Sequence, residues 1–308
     1  MRALIAGGSG MIGRELTSTL SDGGDEVSIL SRNPEKVTGM PVGVKLIQWD
    51  GRTVHNWGKV MENIDVVINL TGENLSGKWI FPSRWTNERK ERLLSSRVNA
   101  GQVLSKAIEM SVHKPVVFIQ ASGIGFYGTL QDKPLTEEDA GGTDFMSKLG
   151  KQWEASSLSV EESGVRRVII RNGMVLSKKS KVLLPLLLQY KLFAGGPIGN
   201  GRQVYSWIHI DDEVNAIRFL IHNDQAKGLF NLTSPNPLTN EEFGKTISKV
   251  MKRPHYFPLP AFMMQLLFGE VASMVLEGQR VLPKRLLEHG YIFKYPILKE
   301  ALKDILDK

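Results

Sequence analysis

The chain has no cysteine among its 308 residues, which excludes disulfides, thiolate metal ligands and a cysteine nucleophile. Its histidines, His55, His113, His209, His222, His255 and His289, never fall in a His-Glu-x-x-His spacing, so no metal centre is expected. Long apolar runs are missing too. The stretch 182–193 is short and carries Gln189 and Lys191; the stretch 257–276 contains Pro258, Pro260, Gln265 and Glu270. Both are expected as buried or half-buried helices, and neither as a membrane span. The net charge is +7, but Lys and Arg are dispersed without an aromatic-interleaved basic stripe. That excludes a nucleic-acid partner and leaves a basic surface suited to small anions. No second glycine motif and no internal repeat occurs, which favours one functional unit. A strand expected from residue 2 leaves no room for a secretory signal, so a cytoplasmic location is the expectation.

What is present begins at once. The first twenty residues join a short apolar strand, a turn carrying Gly7, Gly10 and Gly13, and an amphipathic helix. In this context Gly7 permits the tight bend, Gly10 lets backbone N–H groups reach a phosphate, and Gly13 lets the helix close on the strand. The backbone through Gly7, Ser9, Gly10, Met11, Ile12 and Gly13 is therefore read as a pyrophosphate cradle at a helix N-terminus.

Further apolar runs at 27–30, 44–49, 66–70, 116–120 and 168–170 alternate with helical patterns, among them 84–110 and 144–163. This alternation predicts an α/β fold: a doubly wound parallel Rossmann sheet with a smaller C-terminal substrate lobe. Residues 1–176 are assigned to the nucleotide-binding domain, with 204–226 returning to it. Residues 177–308 mainly form a lobe capping the carboxyl edge of the sheet, where ligands of such folds bind.

The second strand ends Ile29-Leu-Ser-Arg32, without the acidic residue that would accept from the ribose 2′-hydroxyl of NAD. Ser31 and Arg32 suit a 2′-phosphate instead, because a guanidinium makes bidentate charge-assisted contacts with it. The cofactor is accordingly read as NADP(H). Asp50, ending the third strand, is placed at the adenine amino group or in an ordinary turn.

Four motifs occur in order: the Gly7/Gly10/Gly13 turn, Asn69-Leu-Thr-Gly72, Gln120-Ala-Ser-Gly-Ile-Gly-Phe-Tyr-Gly128 and Trp207-Ile-His-Ile-Asp-Asp212. With them the chain resembles, over nearly its full length, the extended short-chain dehydrogenase/reductases of the sugar-nucleotide epimerase group. Gly72-Glu-Asn74, Trp153-Glu154, Gly195-Gly-Pro-Ile-Gly199 and Leu276-Glu-Gly-Gln-Arg-Val-Leu-Pro283 narrow the resemblance to an uncharacterised "epimerase family" branch, atypical members with their own C-terminal domain. The resemblance implies NADP(H), with Leu70, Thr71 and Gly72 passing beneath its adenine-ribose and pyrophosphate side and Val175 closing over the nicotinamide. It also implies catalysis by a Ser or Thr, a Tyr and a Lys: the Tyr exchanges a proton, the Lys depresses its pKa and holds ribose, and the Ser orients substrate.

The active-site pattern departs from that scheme. The Ser/Thr position holds Gly123; Ser122 beside it points elsewhere on an extended strand unless the backbone bulges. The Tyr-x-x-x-Lys pair reads Asp144-Phe-Met-Ser-Lys148, which keeps the Lys and loses the phenol. Tyr295-Pro-Ile-Leu-Lys299 is a literal match, but it contains proline and lies in the tail. Candidate catalytic residues are therefore Ser122, Tyr127 and Lys148. Tyr127 is weighed against core packing, and Lys148 against a surface role. Arg97 is placed to reach an anionic ligand, such as the cofactor, and Glu73 to meet substrate, unless the two form an ion pair. The resemblance adds Arg202 at a substrate phosphate and Trp207 or His209 at the pocket, with Asp211 and Asp212 capping the next helix. Two functions are expected from these residues. One is an NADP(H)-dependent oxidoreductase or epimerase-like enzyme acting on a polar small molecule, nucleotide-linked or not, through a site lacking the usual Tyr. The other is an NADPH-binding regulator without turnover. A homodimer is common for the fold.

Overall fold

The computed structural model describes residues 1–77, 83–129 and 133–307. Seven parallel strands form the central sheet: β1 (Arg2–Ala6), β2 (Glu26–Ser31), β3 (Lys45–Gln48), β4 (Val66–Asn69), β5 (Val117–Gly123), β6 (Arg166–Asn172) and β7 (Gly228–Leu232). Their spatial order is β7-β6-β5-β4-β1-β2-β3. The order reverses between β1 and β4, so a crevice opens beyond their carboxyl ends. Helices α1 (Met11–Asp22), α2 (Asn87–Met110), α3 (Phe145–Ala155), α4 (Leu183–Lys191), α5 (Ile210–His222), α6 (Asn240–Met251), α7 (Ala261–Phe268) and α8 (Leu298–Asp307) are the principal helices.

The strand period of two divides the core between the faces of the sheet. Ala3, Ile5, Val27, Ile29, Val66 and Ile68 point to the side covered by Leu16 and Leu20 of α1 and Val214, Ile217 and Leu220 of α5. Leu4, Ala6, Leu30, Val67 and Phe118 point to the other, against Ala100, Val103, Leu104 and Ile108 of α2. Both faces are buried, which is why these strands read as continuous apolar runs.

Six strands are legible as apolar runs; β7 is a seventh, and it extends the returning segment to Leu232. Its Asn231 is a fully buried polar residue that interrupts the pattern. The helix expected over 144–163 is α3 followed, after a break at 156–158, by the turn Ser159–Glu162. His209, and not Asp211 or Asp212, caps α5: its Nδ1 accepts from the Asp211 N–H at 3.1 Å. Asp212 is buried and ties the C-terminal segment down, accepting from the Tyr291 hydroxyl and from the N–H groups of Lys294 and Tyr295.

The C-terminal lobe packs α4, α6, α7 and α8 around Leu183, Leu187, Phe243, Ile247 and Leu302. Among the described residues no helix is long and apolar enough to cross a membrane. The stretch 257–276 departs from expectation, however: α7 buries only Met264, and its outward side is exposed.

Glu213 of α5 is completely buried, with neither carboxyl oxygen hydrogen-bonded. Burial alone pushes its pKa up to about 8. The folded state therefore binds this proton more tightly than the unfolded chain. The contribution is fully present below the ordinary carboxyl value of 4.5 and is lost as pH rises through about 8. Glu213→Gln keeps the shape and cannot ionise. Urea titrations should show the variant gaining on the wild type as pH rises from 5 to 8, by on the order of a few kcal/mol; a pH-independent difference would contradict the assignment.

Candidate functional site

The residues singled out for binding and chemistry gather where the strands end. Gly7 follows β1, Ser31 and Arg32 end β2, Asp50 follows β3, Leu70 follows β4, Ser122 and Gly123 end β5, and Arg171 and Asn172 end β6. The tightest part is the glycine turn. Gly7 has φ +83°, and a Cβ there would stand 2.8 Å from the Leu70 carbonyl; a Cβ at Gly13 would stand 2.5 Å from the Gly7 carbonyl oxygen. Only hydrogen at these positions lets β1, the turn and the β4 loop come together. Gly10 caps α1 without a side-chain hydrogen bond, and no acidic residue lies in the first turn. The N–H groups of Met11, Ile12 and Gly13 thus keep their donors and the positive helix end stays uncompensated, the arrangement that holds a pyrophosphate.

At the end of β2, Ser31 is buried and its Oγ accepts from Asn33 N–H at 3.3 Å. Arg32 is exposed and has no hydrogen-bond or ionic partner within the described residues. Arg14, which sequence reasoning missed, completes this corner. Its guanidinium donates to Ser9 O at 3.0 Å and Thr38 O at 2.6 Å, bracing the glycine turn against the loop after β2. Its signal was its place directly after Gly13. Asp50 is occupied locally: its carboxylate accepts from Arg52 N–H, Thr53 N–H and the Thr53 hydroxyl. The two backbone donors hold its pKa down to about 2. This is the turn role.

Past β4, Leu70 N–H donates to Ala6 O at 2.8 Å, continuing the ladder to the crevice. Thr71 turns inward and gives both its N–H and hydroxyl to the Asn69 side chain. Gly72 lies against Arg97, whose guanidinium carbon a Cβ would meet at 2.9 Å. Arg97 is buried, donates to Leu93 O and Glu73 O, and sits over the Trp153 ring at 4.7 Å. Burial draws its pKa down to about 10. Arg97 thus supports the loop under Gly72 from behind. The alternative reading, a Glu73–Arg97 side-chain pair, does not form; the Glu73 carboxylate lies 3.6 Å from Arg92.

The catalytic candidates are rearranged most. Strand β5 pairs with β6 in unbroken register to Gly123↔Asn172, without a bulge. Ser122 consequently faces inward, and its hydroxyl donates to Glu154 at 2.7 Å. Glu154 is held bidentately by Arg171, at 2.8 and 2.9 Å. Arg171 also donates to the Tyr127 hydroxyl at 3.0 Å, which donates to Asn231 at 2.8 Å. Tyr127 has no exposed surface, and burial raises its pKa above the phenol value. Ser122 and Tyr127 are corrected accordingly: both are parts of a buried structural network, with no free hydroxyl facing a ligand. Asp144 caps α3, accepting from Ser147 N–H and Oγ. A phenol at that position could not do this, which accounts locally for the missing Tyr. Lys148, one turn on, is exposed and has no partner among the described residues.

Across the crevice, Val175 is buried in the short pair of Met174–Leu176 with Trp207–His209. Trp207 is corrected from a pocket residue to a core one: it is wholly buried and its indole donates to Asn236 O. Arg202 is exposed on the loop before it. Sequence reasoning also missed Glu277, within the tail motif. Its side chain is exposed, yet desolvation and secondarily the charge of Asp144 raise its carboxyl above the ordinary value, so the C-terminal lobe brings an acid within electrostatic reach of the start of α3. His209, Asp211 and Asp304 place donor atoms within 4.8 Å of one another. The described partners of these groups, the Asp211 N–H, Lys294 and Tyr295, join α5 to the tail.

Residues 3–233 match the NAD dependent epimerase/dehydratase family, and residues 259–305 a domain of unknown function, DUF1731. The chain is 38% identical to "Epimerase family protein YfhF" of Bacillus subtilis, with 99% of this chain and 98% of that one covered. It is 35% identical to mouse "Epimerase family protein SDR39U1", covering 99% and 100%. The crystal structure of human epimerase family protein SDR39U1 (isoform 2) with NADPH superposes with a TM-score of 0.86 at 32% identity, over 100% of both chains. A UDP-glucose 4-epimerase from Thermus thermophilus in complex with NAD shares the fold, with a TM-score of 0.78 at 17% identity over 100% and 98%.

Arg171→Met would leave the Glu154 carboxylate buried without its cation. Chemical denaturation should show a loss of about 3–5 kcal/mol, whereas Tyr127→Phe, which deletes one hydroxyl, should cost about 1 kcal/mol. Equal and small losses would mean that the pair does not hold β5, β6 and α3 together.

Proposed function

Because the chain belongs to the NAD dependent epimerase/dehydratase family, we propose that it is an NADP(H)-dependent, epimerase-like oxidoreductase acting on a polar small molecule. The observation that carries this reading is the glycine cradle with an open helix N-terminus beside an unpaired Arg32. The residues fit the cofactor: the N–H groups of Met11, Ile12 and Gly13 would hold the pyrophosphate, and Arg32 with Arg14 the 2′-phosphate. The likeness to an NADPH-bound relative supports that choice. When bound, the nicotinamide supplies hydride transfer.

The protein's own share of the chemistry falls to few groups, since Ser122 and Tyr127 are engaged elsewhere. Lys148, near the start of α3 and without a partner among the described residues, is a cation suited to hold a hydroxyl or steady a developing oxyanion. Glu277 is the candidate acid: its carboxyl, raised above the ordinary value by desolvation and by the charge of Asp144, is the one the tail motif brings toward the start of α3. Arg202, exposed, and Glu73, in the loop after β4, are the polar contacts for substrate. A second reading, a regulator that binds NADPH without turnover, is favoured by the removal of both hydroxyl candidates into the core.

Two measurements test these readings. Arg32→Ala should raise the Kd for NADPH roughly 10- to 100-fold and leave that for NADH unchanged; an unchanged preference overturns the cofactor assignment. Against a panel of carbonyl compounds and sugar nucleotides, Lys148→Ala and Glu277→Gln should each lower turnover by about 100-fold or more with NADPH affinity retained, and Tyr127→Phe should not. Turnover surviving Glu277→Gln removes it as the acid, and tight NADPH binding with no turnover of any compound favours the regulator.

A further inference from the structure

The C-terminal lobe carries an apolar surface of a kind that soluble monomers seldom expose. On α4 the outward residues Leu184, Leu188 and Leu192 are spaced by four, and the last is 68% exposed. On α7, Phe262 and Leu266 are 67% and 71% exposed, and Met263 and Leu267 lie beside them. Between the helices Tyr256, at 72%, and Phe257 add aromatic rings. These pieces adjoin. Gly195 O accepts from Tyr256 and Phe257 N–H, and Leu259 exchanges backbone bonds with Pro197 and Gly199. Met264 of α7 shares a core with Leu183 and Leu187 of α4.

Two further features mark the surface. Phe193 and Lys252 have φ +60° and +54°, two of the three non-glycine residues with positive φ within the described residues. A phenylalanine in this conformation is strained, and here it holds a half-exposed ring at the end of α4, under the Arg253 guanidinium at 4.6 Å. Cations prevail around the patch, and the acids that border it are engaged: Glu241 pairs with Lys245 and His255, and Glu270 with Lys90. Segments 178–202 and 243–268 together contain nine Lys and Arg and no Asp or Glu, and Lys178, Lys179, Lys191, Lys249 and Lys252 are exposed. A second copy of this chain would bring one excess of cations against another. An apolar face with a net cationic rim complements an anionic lipid surface.

We propose that α4, α7 and the aromatic loop between them form a peripheral docking face for anionic bilayers, inserting Leu192, Phe193, Phe262 and Leu266 at the headgroup boundary while Lys191 and Lys252 pair with lipid phosphates. The chain lies on the bilayer and does not cross it, in keeping with the lack of a spanning helix among the described residues. The face is separate from the glycine cradle, so NADPH binding reports folding independently.

Co-sedimentation of the full chain with vesicles tests this directly. Binding is expected to phosphatidylcholine vesicles containing phosphatidylglycerol, to weaken with added salt, and to be absent with pure phosphatidylcholine. Lys191→Ala and Lys252→Ala should each lower partitioning about fivefold, and the double substitution Phe262→Glu with Leu266→Glu should abolish it while NADPH affinity is kept. The proposal is overturned if the two vesicle types bind equally or not at all, or if the double Glu variant binds as the wild type does. It is equally overturned if light scattering shows a wild-type dimer that the same double substitution splits, with no vesicle binding, since the face would then belong to a second copy.

Discussion

The bidentate pair between Arg171 and Glu154 lies where β5, β6 and α3 meet. A buried ion pair tolerates little displacement, because desolvated charges regain their hydration energy only in good geometry. Arg171 is also stacked at 3.5 Å on Phe126, and its remaining donor binds Tyr127, so the network reaches β7 through Asn231. Ser122 completes the coordination of Glu154. Every polar group drawn into this network is withdrawn from the crevice, and the network thereby decides which residues remain to meet a ligand.

The cofactor side is built on a different constraint, the near contact of three backbone segments. Gly7, Gly13 and the carbonyl of Leu70 approach so closely that no side chain fits between them, and the helix end they expose is left without a capping side chain. Such a helix end offers backbone donors and the positive end of the helix dipole to an anion. Arg32 adds charge where the backbone adds none. The two halves of the crevice thus differ in kind: one is built of backbone N–H groups, and in the other the buried network has taken up the Ser122 and Tyr127 hydroxyls.

The sheet and the cradle were legible because their signals are local. A strand buried on both faces shows as an apolar run, and the glycine spacing follows from a turn of a few residues. β7 was not legible, since Asn231 and the short run around it look like a loop until the strand is seen paired with β6. Trp207 stood in a motif that suggested a pocket, yet its indole is used by Asn236. The exposure of α7 was hidden because an apolar helix reads as buried in sequence, and only its neighbours reveal which side has no cover.

By itself the sequence determined the fold class and the glycine turn between β1 and α1, and it showed Ser31-Arg32 in place of an acidic residue after the second strand, because each depends on periodicity or on spacing within one turn. It also determined that Asp144 stands where a tyrosine is expected. Tertiary structure alone decided that Asp144 is a helix cap, that Ser122 and Tyr127 are consumed by Glu154, Arg171 and Asn231, and that Glu277 is carried toward α3 from the far end of the chain. Direction and burial of a polar side chain depend on partners many residues away, and no local pattern encodes them.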